Sequence, residues 1–154
     1  MDLYSKQIGS NFSDIDSFSA YIGGSPTNIS VCSQRLGLKT ALLSAVGDDL
    51  TGKFIMDKLI KENISTSNMF VIPNTKTSLV LCGIIPPDQF PLVFYREKAP
   101  ENKITIALIE KINLDVFKAL LMSGTALSES PCRDAAVYLS EKAKQKNIPV
   151  ILDI

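Results

Sequence analysis

No histidine occurs anywhere in the 154 residues. Without imidazole there is no Ser/His or Cys/His nucleophile pair, no histidine-bound zinc, and no side chain that changes charge near neutral pH unless its pKa is displaced. Any acid or base must be a carboxylate, Lys, Tyr or Cys. Net charge is missing as well: 16 Lys plus Arg balance 16 Asp plus Glu, so nothing in the composition is tuned for nucleic acid or another polyanion. Cysteine is scarce. Cys32, Cys82 and Cys132 form neither a CxxC pair nor an even disulfide framework, which is the pattern of reduced thiols in a cytoplasmic compartment. No stretch reaches the roughly 18 apolar residues of a membrane span, and the opening Met1-Asp2-Leu3-Tyr4-Ser5-Lys6 lacks the charged-then-apolar run of a signal peptide. The expectation is a soluble, cytoplasmic protein with neither a nucleic acid nor a membrane as partner.

The residues present suit one globular domain. Hydrophobic residues make up 45% and charged residues 21%, enough apolar material for a core and too much for disorder. Phe18-Ser19-Ala20-Tyr21-Ile22 alternates like a half-buried strand and stops at Gly23-Gly24. Ser25 as a cap and Pro26 at the first position then open a helix that runs through Leu36 and ends at Gly37. The apolar run within Lys39 to Val46 predicts a strand covered on both faces, as in a parallel sheet. Asp48 and Asp49 favour the start of a helix whose stripe is Phe54, Ile55, Leu59 and Ile60, ending near Ile64.

Thr77 to Ile85 and Pro91 to Arg96 read as a hairpin around Pro86-Pro87-Asp88-Gln89. Beyond it the pattern predicts a helix near Thr105 to Ile112, a strand from Ala119 to Met122, a helix from Pro131 to about Lys146 and a strand from Pro149 to Ile154. On the late helix Ala135, Ala136, Leu139 and Ala143 form the buried side, and Glu141, Lys142, Lys144 and Lys146 the solvated one. The fold class is therefore α/β: a mainly parallel sheet flanked by helices, with a small antiparallel excursion built from the Phe18 strand and the hairpin. A polar opening and an ending inside the apolar run Val150 to Ile154 predict a fragment truncated at both ends.

Gly47-Asp48-Asp49-Leu50-Thr51-Gly52-Lys53 has the glycine and lysine spacing of a phosphate loop. Phe54 stands where such a loop needs Ser or Thr for magnesium, and two carboxylates sit where phosphate would go, so a turn and helix cap is the better reading. Gly23-Gly24-Ser25-Pro26-Thr27-Asn28 offers more. A diglycine admits a ligand close to the backbone, the helix start points free amides outward, and Asn28 adds a donor and an acceptor suited to hydroxyls. Arg96 could fork onto a carboxylate or phosphate while Tyr95 adds a flat contact and a hydroxyl; the local alternative is an exposed Arg96–Glu97 pair. Asp2, Asp14 and Asp16 gain no role from local pattern, and no metal site is expected.

Asp2-Leu3-Tyr4, Tyr21 to Asn28, Arg35-Leu36-Gly37, Val46-Gly47-Asp48-Asp49 with Gly52, and Phe90 to Glu97 together resemble the ribokinase-like, or PfkB, carbohydrate kinases. Within that family the stretch from Pro87 to Glu97 looks most like the kinases of 5-dehydro-2-deoxygluconate in inositol catabolism, with those of 2-keto-3-deoxygluconate next. The resemblance implies an α/β core with a small β lid, residues 1–154 being the N-terminal part of one kinase domain and the lid lying at about 16–24 and 70–98. It implies that Asp2 holds sugar hydroxyls, that Gly23, Gly24 and Asn28 belong to the sugar site, and that Tyr95 and Arg96 meet the acid end of a keto-sugar acid. ATP and Mg2+ are implied for a whole kinase. The family's Gly-Ala-Gly-Asp run, whose Asp is the catalytic base, is absent. No catalytic residue, no strong nucleotide binding and no turnover are therefore expected of this chain, which could pair with another copy through its lid strands.

Overall fold

A computed structural model describes residues 1–154, and its strands divide into a body and a separate four-stranded sheet. The body holds two parallel pairs. Strand β3 (Ala41–Gly47) runs beside β4 (Ser65–Ile72), and β7 (Leu120–Ser123) beside β8 (Val150–Asp153). Each pair is joined by a crossover helix, α2 (Leu50–Lys61) for the first and α4 (Cys132–Gln145) for the second, as parallel strands require. A further helix, α1 (Ser25–Arg35), touches both β3 and β7. The expected mainly parallel sheet is thus present as two pairs rather than one ladder.

The second sheet has the order β2-β1-β5-β6, with β1 at Asp2–Ser5, β2 at Phe18–Tyr21, β5 at Leu79–Cys82 and β6 at Leu92–Tyr95. Its outer pairings are antiparallel, but β1 and β5 in the middle are parallel. One expectation changes here: the excursion is mixed rather than wholly antiparallel. Phe70, Val71 and Ile72 lie in β4 and pair with β3, so the sheet outside the body resumes only at Leu79. Strand β4 escapes a sequence reading because Ser65-Thr66-Ser67-Asn68 offers no apolar alternation.

The main core gathers Ala45, Ile104, Ile109, Leu114, Ala135, Leu139, Ala143 and Ile148. Ala135, Leu139 and Ala143 recur every four residues on one face of α4, as the pattern predicted. A smaller core of Leu42, Leu59 and Ile64 locks α2 onto β3. The helix expected over Thr105 to Ile112 contracts to one turn, α3 (Ile106–Ile109), because the Asn113 side chain accepts the Asp115 amide at 3.0 Å and starts a separate turn at Leu114. At the end of α1 Arg35 forks onto Glu62, just past α2, at 2.9 and 2.5 Å, raising the guanidinium pKa and lowering that of the carboxyl through the shared hydrogen bond.

Candidate functional site

Partners in register across a sheet point to the same side, and neighbours along a strand to opposite sides. The row Tyr21, Asp2, Val80 and Phe94 therefore shares one face of the four-stranded sheet, and Tyr4, Ser19, Cys82 and Leu92 share it two residues further on. Tyr4 and Tyr21 meet there edge to face, with centroids 5.7 Å apart. Tyr95 pairs with Leu79 and lies on the other face, with Leu3, Ala20, Leu81 and Val93. The structure thus does not bring Tyr95 together with Asp2. Phe94, which the sequence reading passed over, takes that side.

Gly23 and Arg96 lie just beyond the two outer ends of this row. Three strand spacings separate β2 from β6, so the row is about 14 Å wide. At the Gly23 end the Asp2 carboxylate packs against the glycine so closely that a Cβ there would overlap it. The second glycine is needed for another reason: Gly24 has open space around it but a φ of +89° and ψ of 143°, a conformation essentially closed to side chains. Gly24 occupies the N-cap of α1 and its carbonyl accepts the Asn28 amide at 3.0 Å, leaving the exposed Asn28 side chain on the first turn. Asp2 thus touches Gly23, and Gly24 and Asn28 follow at the start of α1.

Ser25, expected as the cap, does not cap. Its hydroxyl donates instead to Asp153, at the carboxyl end of β8, which ties the start of α1 to the edge where open α/β sheets collect ligands. Asp153 is a residue that sequence reasoning missed, since 128 positions separate it from Ser25. At the other end of the row, Arg96 donates from Nη2 to Glu101 at 3.1 Å rather than to its neighbour Glu97. Burial, and then the charge of Asp2, raises the pKa of the Cys82 thiol, which keeps it protonated at neutral pH. Burial followed by Asp2 does the same for the Tyr4 hydroxyl.

The phosphate-loop spacing resolves into a cap. Asp49 Oδ1 accepts the Gly52 amide at 2.7 Å and the Thr77 hydroxyl at 2.8 Å, and Oδ2 accepts the Thr77 amide at 2.9 Å. Burial alone would raise the Asp49 pKa. The bonds from Thr77 and Gly52, with Lys76 nearby, outweigh it and hold the carboxyl below its ordinary value. An amide that a nucleotide phosphate would need is already taken by this carboxylate, and no three His, Cys, Asp or Glu side chains converge as metal ligands would. The loop does not fit a nucleotide phosphate.

Comparison with known proteins gives consistent relatives in sequence and in fold. The 5-dehydro-2-deoxygluconokinase of Clostridium tetani is 34% identical over 155 residues, covering 100% of this chain and 46% of its own length. That of Photobacterium profundum is 29% identical over 154 residues, again covering 100% and 46%. The chain spans about half the length of the curated relatives it matches. Among solved structures, a sugar kinase of Pyrococcus horikoshii in complex with ATP superposes with a TM-score of 0.86 at 25% identity, over 99% of this chain and 49% of that one. The 2-dehydro-3-deoxygluconokinase of Thermotoga maritima, at 18% identity and a TM-score of 0.88 over 99% and 47%, shares the fold. Residues 1–154 match the pfkB family of carbohydrate kinases from end to end, and the chain belongs to that family.

Proposed function

We propose that this chain forms the sugar-binding portion of a kinase for 5-dehydro-2-deoxygluconate, a keto-sugar acid. The observation that carries the reading is that one sheet row holds Asp2, packed against Gly23, and ends at Phe94, two residues before Arg96. The carboxylate of Asp2 suits sugar hydroxyls as an acceptor, and Asn28 on the first turn of α1 supplies both a donor and an acceptor. Arg96 suits the acid end through a charge-assisted pair. The exposed rings of Tyr21 and Phe94 give the space between them an apolar wall on the Asp2 face. The row is wide enough for a six-carbon acid plus the reach of an arginine.

In a whole kinase of the family, ATP with Mg2+ supplies the phosphoryl group that a sugar hydroxyl accepts. No Gly-Ala-Gly-Asp run occurs in residues 1–154, and the Gly47–Lys53 loop is closed by Asp49. The chain alone is accordingly expected to bind the sugar acid without transferring phosphate. Titration calorimetry with 5-dehydro-2-deoxygluconate, beside an ADP-release assay, tests this. Binding that Arg96→Ala weakens by about tenfold or more, without ADP release, is the expected result. Equal affinity for neutral D-fructose, or turnover by the chain, would overturn it.

A second reading adds to the first. Strand β6 is an edge whose four residues are all exposed, with Phe90 beside it, so the lid offers pairing to another copy of itself.

A further inference from the structure

Glu101 belongs to none of the motifs above, yet it sits where the acid end of the substrate would be read. It lies in the three-ten turn Pro100–Lys103, which is rooted in the body by the fully buried Pro100 and by Ala99, 1% exposed. One oxygen, Oε1, accepts from two sides: the Ser78 hydroxyl at 2.8 Å and Arg96 Nη2 at 3.1 Å. Ser78 immediately precedes β5, and its carbonyl accepts the Met1 amine at 2.7 Å, so it marks the point where β1 and β5 leave the body together. Glu101 therefore holds the guanidinium to an anchored turn and to the root of the lid at once. Left alone, Arg96 would be a long side chain, 43% exposed at the end of a strand that is itself exposed throughout.

We propose that Glu101 is a positioning residue that aims Arg96 at the carboxylate of an acidic sugar. The proposal rests on the sugar-acid reading of this site. Arg96 spends one nitrogen on Glu101 and makes no other side-chain hydrogen bond, so Nε and Nη1 stay available for a second carboxylate. Ordering the guanidinium beforehand removes rotamer entropy that the ligand would otherwise have to take up on binding. Glu101 also cancels the charge of Arg96. Discrimination for the acid then comes from the fixed donor geometry rather than from a positive field.

The distinguishing comparison is Glu101→Ala against Glu101→Gln, since a glutamine Oε1 can still accept from Ser78 and Arg96. Affinities for 5-dehydro-2-deoxygluconate and for neutral D-fructose are read by calorimetry on the full 154-residue chain, with Arg96→Ala as reference. Glu101→Ala is expected to weaken acid binding by about tenfold, to leave D-fructose unchanged, and to be largely rescued by Glu101→Gln. If Arg96→Ala lowers acid affinity and Glu101→Ala does not, the proposal falls while the sugar-acid reading stands; if Arg96→Ala changes nothing, both fall. Equal loss for acid and neutral sugar would make Glu101 merely structural and also overturn it. Nitrogen-15 spectra of the arginine side chains give an arm that needs no ligand. The Arg96 guanidinium nitrogens should be resolved from one another in the wild type and averaged in Glu101→Ala, and averaging already in the wild type would refute the proposal.

Discussion

At the scale of single residues, the two glycines next to Asp2 and the start of α1 are required for different reasons, and substitution separates them. An alanine at Gly23 keeps ordinary backbone geometry but places its methyl where the Asp2 carboxylate lies, so the acid must turn away. An alanine at Gly24 meets no atom but must hold a φ of +89°, a strain of about 1–3 kcal/mol. Gly24→Ala should therefore lower the urea midpoint, whereas Gly23→Ala should abolish binding of the sugar acid with a smaller effect on folding. Reversal of that order would show that Asp2 is not the hydroxyl acceptor. Both glycines were legible in the sequence because only glycine serves there. The face that Tyr95 occupies was not legible, because alternate strand residues look alike in sequence until register shows which face holds Asp2.

Asp49 carries a pH dependence of definite sign. Its carboxyl is held below its free value in the folded chain, so the protein gains stability from it that is complete above about pH 4, the unfolded value. That contribution is lost as pH falls through the folded value. Asp49→Asn lacks the charge at every pH, so its deficit against wild type should be largest near neutral pH and shrink in acid. Asp49→Ala removes a helix cap as well and should cost about 0.5–2 kcal/mol at pH 7. Urea denaturation at pH 7, 4 and 3 measures both, and a deficit independent of pH would contradict the assignment. This residue, too, was readable in advance, since an acid ahead of an apolar stripe is a helix start.

At the scale of elements, the joint between β3 and α2 is the one best defined by packing. Leu59 is 0% exposed and lies with Leu42 and Ile64 in a small core separate from the main one, so nothing larger shares its load. Leu59→Ala should cost about 2–5 kcal/mol, seen as a loss of urea midpoint without change in the preference for the acidic over the neutral sugar. A cost below about 1 kcal/mol would mean that the site collapses around the smaller side chain. Elements with apolar runs or periodicity, α2, α4, β3, β7 and β8, could be read from sequence, and α1 from Pro26 at its start and Gly37 at its end. Strand β4 could not, because its first half is polar and its place is set by the ladder to β3, nor could β1, whose four residues make sense only between β2 and β5. The tie between Ser25 and Asp153 was invisible for the same reason: its partners meet only when β8 and α1 are already in place.

For the molecule as a whole, the balance of buried and exposed apolar surface points to association. Two groups of exposed apolar side chains stand out, Phe90 with Leu92 to Tyr95 at the edge strand β6, and Val150, Ile151 and Leu152 on β8. Neither strand carries a lysine or an internal proline, the usual guards against edge pairing. Zero formal charge removes long-range repulsion between copies as well. The isolated chain should thus sediment as a concentration-dependent mixture, and the two groups give separable outcomes. Pairing through the edge strand β6, β6 against β6, is isologous and closes after two copies, so it should yield a discrete dimer that Val93→Lys dissociates. Pairing through β8 would close in the same way but would be sensitive to Ile151→Lys instead. A dimer abolished by Val93→Lys and indifferent to Ile151→Lys is the expected result. A monomer at all concentrations, with a single cooperative thermal transition at high temperature, would show that these surfaces do not associate.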